Sequence, residues 1–141
     1  MSQITGEKVA LRLKEPGRCR LLYEILLAGR AIGEVELDHI AWRSREAELK
    51  IAIFDPDRQS RGYGTDAVTT LLTHVFSTMG LRRVYLRVHA ANAMAIRCYE
   101  KAGFRKKGRL QRCLEGNAAE EILLMSIDRE QFGVDSQSQV V

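Results

Sequence analysis

Apolar and polar residues alternate along most of this chain, and helical spacing replaces the alternation only twice. Val9, Leu11 and Leu13 share one face of a first strand running from Val9 to Lys14. The turn signal Glu15-Pro16-Gly17 follows, then a second strand from Arg20 to Leu27. Ala28-Gly29-Arg30 turns the chain back into a third strand from Ile32 to Ile40. There Val35 and Leu37 oppose Glu34, Glu36 and Asp38, the pattern of an antiparallel sheet with one wet face. A fourth strand runs from Glu48 to Phe54. Beyond it, Ala67, Val68, Leu71, Leu72, Val75, Phe76 and Met79 recur at helical spacing and end near Gly80. Val84 to Val88 is a fifth strand. A second helix carries Ala95, Ile96 and Tyr99, with Asn92 as its cap and Gly103 as its stop. Two further strands, Phe104 to Leu114 and Glu121 to Ile127, meet at a Glu115-Gly116-Asn117 turn. The pattern therefore predicts one domain over residues 1–132 and a flexible polar tail over 133–141.

The junction between the fourth strand and the long helix reads Gln59-Ser60-Arg61-Gly62-Tyr63-Gly64-Thr65. Two glycines there let a ligand approach the backbone closely. Amides of the turn and of the first helical turn then form an anion cradle suited to a pyrophosphate. Arg58 and Arg61 add positive charge. A Walker-type loop would need Lys-Ser or Lys-Thr after the second glycine, but Thr65-Asp66 stands there. Gly62, Gly64 and Ala67 do spell G-x-G-x-x-A. However, no acidic residue lies between Asp66 and Glu100 to hold a ribose, so only an NADP-type site using Arg82, Arg83 and Arg87 stays open on that reading.

Composition changes this picture little. At 45% hydrophobic and 28% charged, the 141 residues suit a single soluble domain. No apolar run reaches the ~20 residues of a membrane span, and no secretory signal opens the chain. The net charge of +4 fits local anion sites or, alternatively, a small nucleic-acid binder. The basic residues are not interleaved with exposed aromatics, which favours the former. Cys19, Cys98 and Cys113 are odd in number and far apart, and His39, His74 and His89 are scattered. That usage implies a reducing cytoplasm, no disulfide frame and no metal.

Two separated motifs carry a family resemblance. The loop matches Q/R-x-x-G-x-G/A, and Asn92 to Phe104 matches N-x-x-A-I-x-x-Y-E-K-x-G-F. Together they resemble the GNAT superfamily of N-acetyltransferases, in its ribosomal-protein-alanine and spermidine acetyltransferase branch, over roughly residues 33–127. The resemblance implies an α+β (α/β) fold: a mixed, mostly antiparallel twisted sheet of about seven strands, splayed between the fourth and fifth, with two main helices. It implies acetyl-CoA as co-substrate. Ile51, Ala52 and Ile53 would pair with the pantetheine arm, Gln59 to Thr65 would hold the pyrophosphate, Asn92 would touch the pantetheine and Tyr99 would sit near the sulfur. The two helices such enzymes place between their first and second strands, as one wall of the acceptor site, have no counterpart around Glu15-Pro16-Gly17.

The implied reaction is attack of a neutral amine on the thioester. A lysine-like amine, with a pKa of about 10.4, must lose a proton, for which Glu48 is the first candidate and Glu34 and Glu36 are alternatives. Tyr99, with an ordinary pKa of about 10, can protonate the departing thiolate. Cys98 is assigned to packing. The expected partners are acetyl-CoA and a primary amine, either a small molecule or a protein N-terminus. No nucleic acid or membrane is expected, and a homodimer could supply the missing wall. The competing reading is a non-catalytic CoA-binding module.

Overall fold

The computed structural model describes residues 3–59, 61–113, 116 and 119–138. Its strands are β1 (Gln3–Thr5), β2 (Ala10–Glu15), β3 (Leu21–Leu27), β4 (Arg30–Ala41), β5 (Glu46–Ile53), β6 (Arg83–His89), β7 (Arg105–Cys113) and β8 (Ala119–Asp128). The helices are α1 (Tyr63–Ser77), α2 (Ala93–Ala102) and α3 (Arg129–Ser138). The strands form one sheet in the order β1-β2-β3-β4-β5-β6-β8-β7. Every neighbouring pair is antiparallel except β5 and β6.

That parallel pair is short. Glu46, Ala47 and Glu48 face Arg83, Val84 and Tyr85, and the ladder then stops while both strands run on. On its other side β5 stays paired with β4 as far as Ile53. The sheet is thus closed at the start of β5 and split along its second half, between the fourth and fifth of the sequence-read strands. The chirality rule for parallel strands requires a crossover, and α1 supplies it.

The alternation sets the two faces. Leu11, Ile25, Val35, Leu37, Leu49, Val84, Leu86, Met125 and Ile127 are buried in one cluster with Val68, Leu71, Leu72 and Val75 of α1. The opposite face is laced by ion pairs: Arg12 with Glu24, Lys14 with Glu34 across β3, Arg20 with Glu36, and Lys50 with Asp38. Only residues 16–20 connect β2 to β3, so no helix lies between them.

Three elements go beyond the sequence expectation. β1 has three residues, too few for a period to show. α3 follows β8 directly and continues to Ser138, through residues expected to belong to the tail. Its anchor is Phe132, buried with its ring 5.5 Å from that of Phe76. α1 starts at Tyr63 and ends at Ser77, so the second half of the glycine loop is already helix. The expected turn at Glu115 to Asn117 falls mostly outside the described residues.

Candidate functional site

A cleft of about 550 Å³ opens where β5 and β6 part. Ile51, Ala52 and Ile53 form one wall, and Asn92, Ala95, Cys98 and Tyr99 of the α2 segment form the other. Gln59, Gly62, Gly64 and Thr65 close one end.

Backbone direction alternates along β5. The Phe54 amide donates to the Ile32 carbonyl at 2.9 Å, toward β4. Ile53 and Ile51 therefore turn their N–H and C=O groups the other way, into the cleft. The Gln59 Nε2 donates to the Ile53 carbonyl at 3.4 Å, which agrees. This strand edge has lost its β6 partner and offers unmade backbone hydrogen bonds to an extended amide-bearing chain.

At the glycine end, Gly62 caps α1 in the left-handed region (φ 85°) and no side chain caps the helix. The first-turn amides thus lack intrahelical acceptors, and the helix dipole adds partial positive charge. A Cβ on Gly62 would lie 2.6 Å from Lys8 Nζ. Gly62→Ala is expected to strain the backbone by about 1–2 kcal/mol and to push Lys8 aside. Calorimetry should show CoA affinity falling about tenfold with only a modest drop in Tm.

Lys8 was not expected here. Its ammonium donates to the Arg61 carbonyl at 3.1 Å. Asp66, in the first turn of α1, holds it there by accepting from the amides of Glu7 (3.1 Å), Lys8 (2.7 Å) and Val9 (2.9 Å). The β1–β2 turn is thereby pinned beside the cradle, more than fifty residues away in sequence. Arg97 and Lys101 also line the cleft. Met94, Arg97, Cys98 and Lys101 recur at helical spacing, so this stripe was readable in the sequence. Lys8 left no such signal.

Asn92 caps α2, its side-chain oxygen accepting from the Ala95 amide at 3.1 Å. Its amide NH₂ is not used in the cap. Tyr99, seven residues on, is 7% exposed and packs edge-on to Phe104, ring centroids 5.8 Å apart. Burial first, and the nearby Cys98 second, push the Tyr99 phenol up to about 12. Its hydroxyl bonds to no described residue. Yet no buried side-chain oxygen or nitrogen among the described residues is left unpaired, so that hydroxyl keeps access to the cleft. Burial also raises the Cys98 thiol, which receives a bond from Thr65 Oγ1 at 3.4 Å. A protonated thiol packed against a hydroxyl is a poor nucleophile.

Glu48 lies at the closed end of the split and is 4% exposed. Arg87, which lines the cleft, donates to its Oε2 at 2.9 Å and its Oε1 at 3.4 Å, and His39 Nδ1 is 3.2 Å from the same Oε1. That hydrogen bond is the chief cause raising the Arg87 pKa. Tyr85 is raised by burial first and by Glu48 next. The roles of Arg87 and His39 escaped the sequence, because only strand pairing brings them to Glu48. Glu34 and Glu36 are engaged by Lys14 and Arg20. Of the other expected contacts, Arg61 is exposed and offers its carbonyl to Lys8, Tyr63 packs against the core, and Ser60 lies outside the described residues. Among the described residues, no group of three or more His, Cys, Asp or Glu side chains could hold a metal ion.

A split, mostly antiparallel sheet with a glycine-capped helix at the split defines an α+β domain with an open cleft between β5 and β6. It is not the parallel sheet of a dinucleotide fold, which removes the basis of the NADP reading. A family model for the acetyltransferase (GNAT) domain matches residues 4–105, and the chain belongs to that family. Among curated relatives, spermidine N(1)-acetyltransferase of Vibrio cholerae serotype O1 is 35% identical over 79 residues, covering 56% of this chain and 45% of the relative. The chain thus spans under half the length of that relative. Among solved structures, spermidine N-acetyltransferase from Vibrio cholerae in complex with CoA and spermine superposes with a TM-score of 0.74 at 26% identity, over 82% of this chain and 69% of that one. A dodecameric form of the Vibrio cholerae enzyme gives 0.73 at 27% identity, over 82% and 68%.

Proposed function

We propose that this chain binds acetyl-CoA in the cleft and transfers its acetyl group to a primary amine by direct attack. The observation that carries the reading is the arrangement of one channel. Unmade strand hydrogen bonds form its wall, free helix amides lie at one end, and a protonated phenol reaches its interior. The family match and the CoA complex of the structural neighbour support the cofactor. The names of the relatives support a polyamine as one acceptor to try.

Acetyl-CoA would supply an activated carbonyl and a thiolate leaving group. Gly62, Gly64 and Thr65 would hold the diphosphate, with Lys8, Arg97 and Lys101 adding charge. The cleft-facing groups of Ile51 and Ile53 would align the pantetheine, and the Ile53 N–H would meet the developing oxyanion. Asn92 keeps donors free for the same arm. Tyr99 would hand its proton to the sulfur. Glu48 would accept the amine proton, directly or through water, with Arg87 and His39 fixing its orientation. Glu48→Gln should lower kcat/KM at least a hundredfold and leave CoA affinity unchanged.

A turnover assay reading free thiol tests the reading across spermidine, spermine, an aminoglycoside and peptides with free N-termini. At least one acceptor should release thiol above the hydrolysis background. Failure to bind CoA at all would end the proposal. One observation favours the competing non-catalytic module: the short 16–20 connection leaves no helical wall for an acceptor. CoA binding with no turnover on any amine would select that module. A second subunit could complete the wall, as a self-association measurement would reveal.

A further inference from the structure

Several described cations have no carboxylate partner among the described residues, and two groups of them line cavities. Arg97 and Lys101 line the cofactor cleft. A second group, Arg43, Arg45, Arg82 and Arg129, gathers at the other end of the β5–β6 pair, around a polar groove of about 640 Å³. That groove lies about 20 Å from Ile53 along β5. Arg12, Lys14, Arg20 and Lys50 of the wet sheet face, by contrast, each have a carboxylate partner.

We infer that this groove is a second anion site, which takes a ligand bearing two or more consecutive phosphate groups. Three observations carry it. First, the arginines are brought together by the backbone. The Arg45 carbonyl accepts from the amides of Arg82 (2.8 Å) and Arg83 (3.2 Å), and the Arg82 carbonyl accepts from the Arg129 amide (2.8 Å). Three separate segments are tied through the backbone, their arginines line one groove, and like charges held close repel until an anion arrives. Second, the β4–β5 turn fixes the backbone of Arg45 beside the groove: its amide donates to the Ala41 carbonyl at 2.7 Å, with Arg45 in the left-handed region at φ 61°. Third, the carboxylates present do not neutralise it. Glu46 and Asp128 are both taken by Arg83, at 3.1 and 2.9 Å, leaving Glu130 alone against four free guanidinium groups.

Guanidinium forks bind phosphate oxygens in pairs, and several forks around an open groove suit a chain of phosphates better than a single ion. A free oligophosphate and a nucleic-acid backbone share this chemistry. The site does not depend on the acetyl-transfer reading, since none of its residues borders the cleft.

Inorganic triphosphate is titrated into the protein and followed by amide chemical shifts. The amides of Ser44, Arg45, Arg83 and Glu130 should move together, with a dissociation constant that weakens as salt rises. The double variant Arg43→Ala with Arg129→Ala should weaken that site about tenfold or more, its fold intact by the unchanged shifts of the core. Arg61→Ala with Arg97→Ala should leave it unchanged. Comparing triphosphate with a single-stranded oligonucleotide at equal phosphate concentration distinguishes the two sources. Shifts confined to Gly62, Gly64 and Thr65, or groove affinity untouched in the Arg43/Arg129 variant, would overturn the inference.

Discussion

Tyr99→Phe is expected to reduce kcat for acetyl transfer by about 10²- to 10⁴-fold, the range for losing a positioned general acid, while CoA affinity stays within twofold. Phenylalanine keeps the ring that packs on Phe104 and removes only the hydroxyl that reaches the cleft. Stability should therefore change little. The pH profile gives a second check. Desolvation disfavours the phenolate, so the folded pKa rises to about 12. The acid stays protonated as the amine substrate loses its proton, and kcat/KM should climb through pH 9 and 10 without an alkaline fall from this group. A descending limb near pH 9 that Tyr99→Phe removes would contradict the assignment. The same shift has a stability consequence. A group whose folded pKa is raised stabilises the fold below the unfolded value of about 10 and loses that contribution as pH climbs toward 12. Wild type should therefore lose Tm between pH 10 and 12 faster than Tyr99→Phe does.

Asp66→Ala should be the most damaging single change outside the core. One carboxylate satisfies three consecutive amides, two of them through the same oxygen. It also sits in the first turn of α1, where negative charge complements the helix dipole. Hydrogen bonds to a charged group contribute about 1.5–3 kcal/mol each when sheltered and less when exposed. With one partly buried and two exposed, a total loss of about 3 kcal/mol follows. For a chain of this size that is a Tm drop of roughly 10 °C. Asp66→Asn retains an acceptor without the charge and should fall between. CoA binding reports separately, because freeing the β1–β2 turn withdraws Lys8 from Arg61. A Tm within 2 °C of wild type in Asp66→Ala would show that the N-terminal hairpin is held by packing instead (about 0.5 kcal/mol or less on the same scale).

Much of the site was legible because its chemistry is local. The glycine loop, the strand before it and the Asn92-to-Tyr99 spacing each fall within one element or one junction, where period and turn chemistry speak directly. Lys8, Asp66, His39 and Arg87 were not legible as partners. Lys8, Asp66 and Arg87 act through residues dozens of positions away and His39 across the β4–β5 turn, and nothing in local pattern names a cross-strand neighbour. The arginine groove shows the same limit: Arg43, Arg82 and Arg129 look like ordinary surface charges until β5, β6 and β8 are laid side by side.

The sequence by itself determined seven of the eight strands, the two main helices and the glycine junction between strand and helix, because backbone propensity and the alternation of apolar residues are properties of neighbours in the chain. Only the tertiary structure decided where the sheet splits, which carboxylate is buried there, and which cations are left over. Those depend on register between distant strands: three paired residues of β5 and β6, and no fourth, open the cleft and leave Glu48 at its closed end.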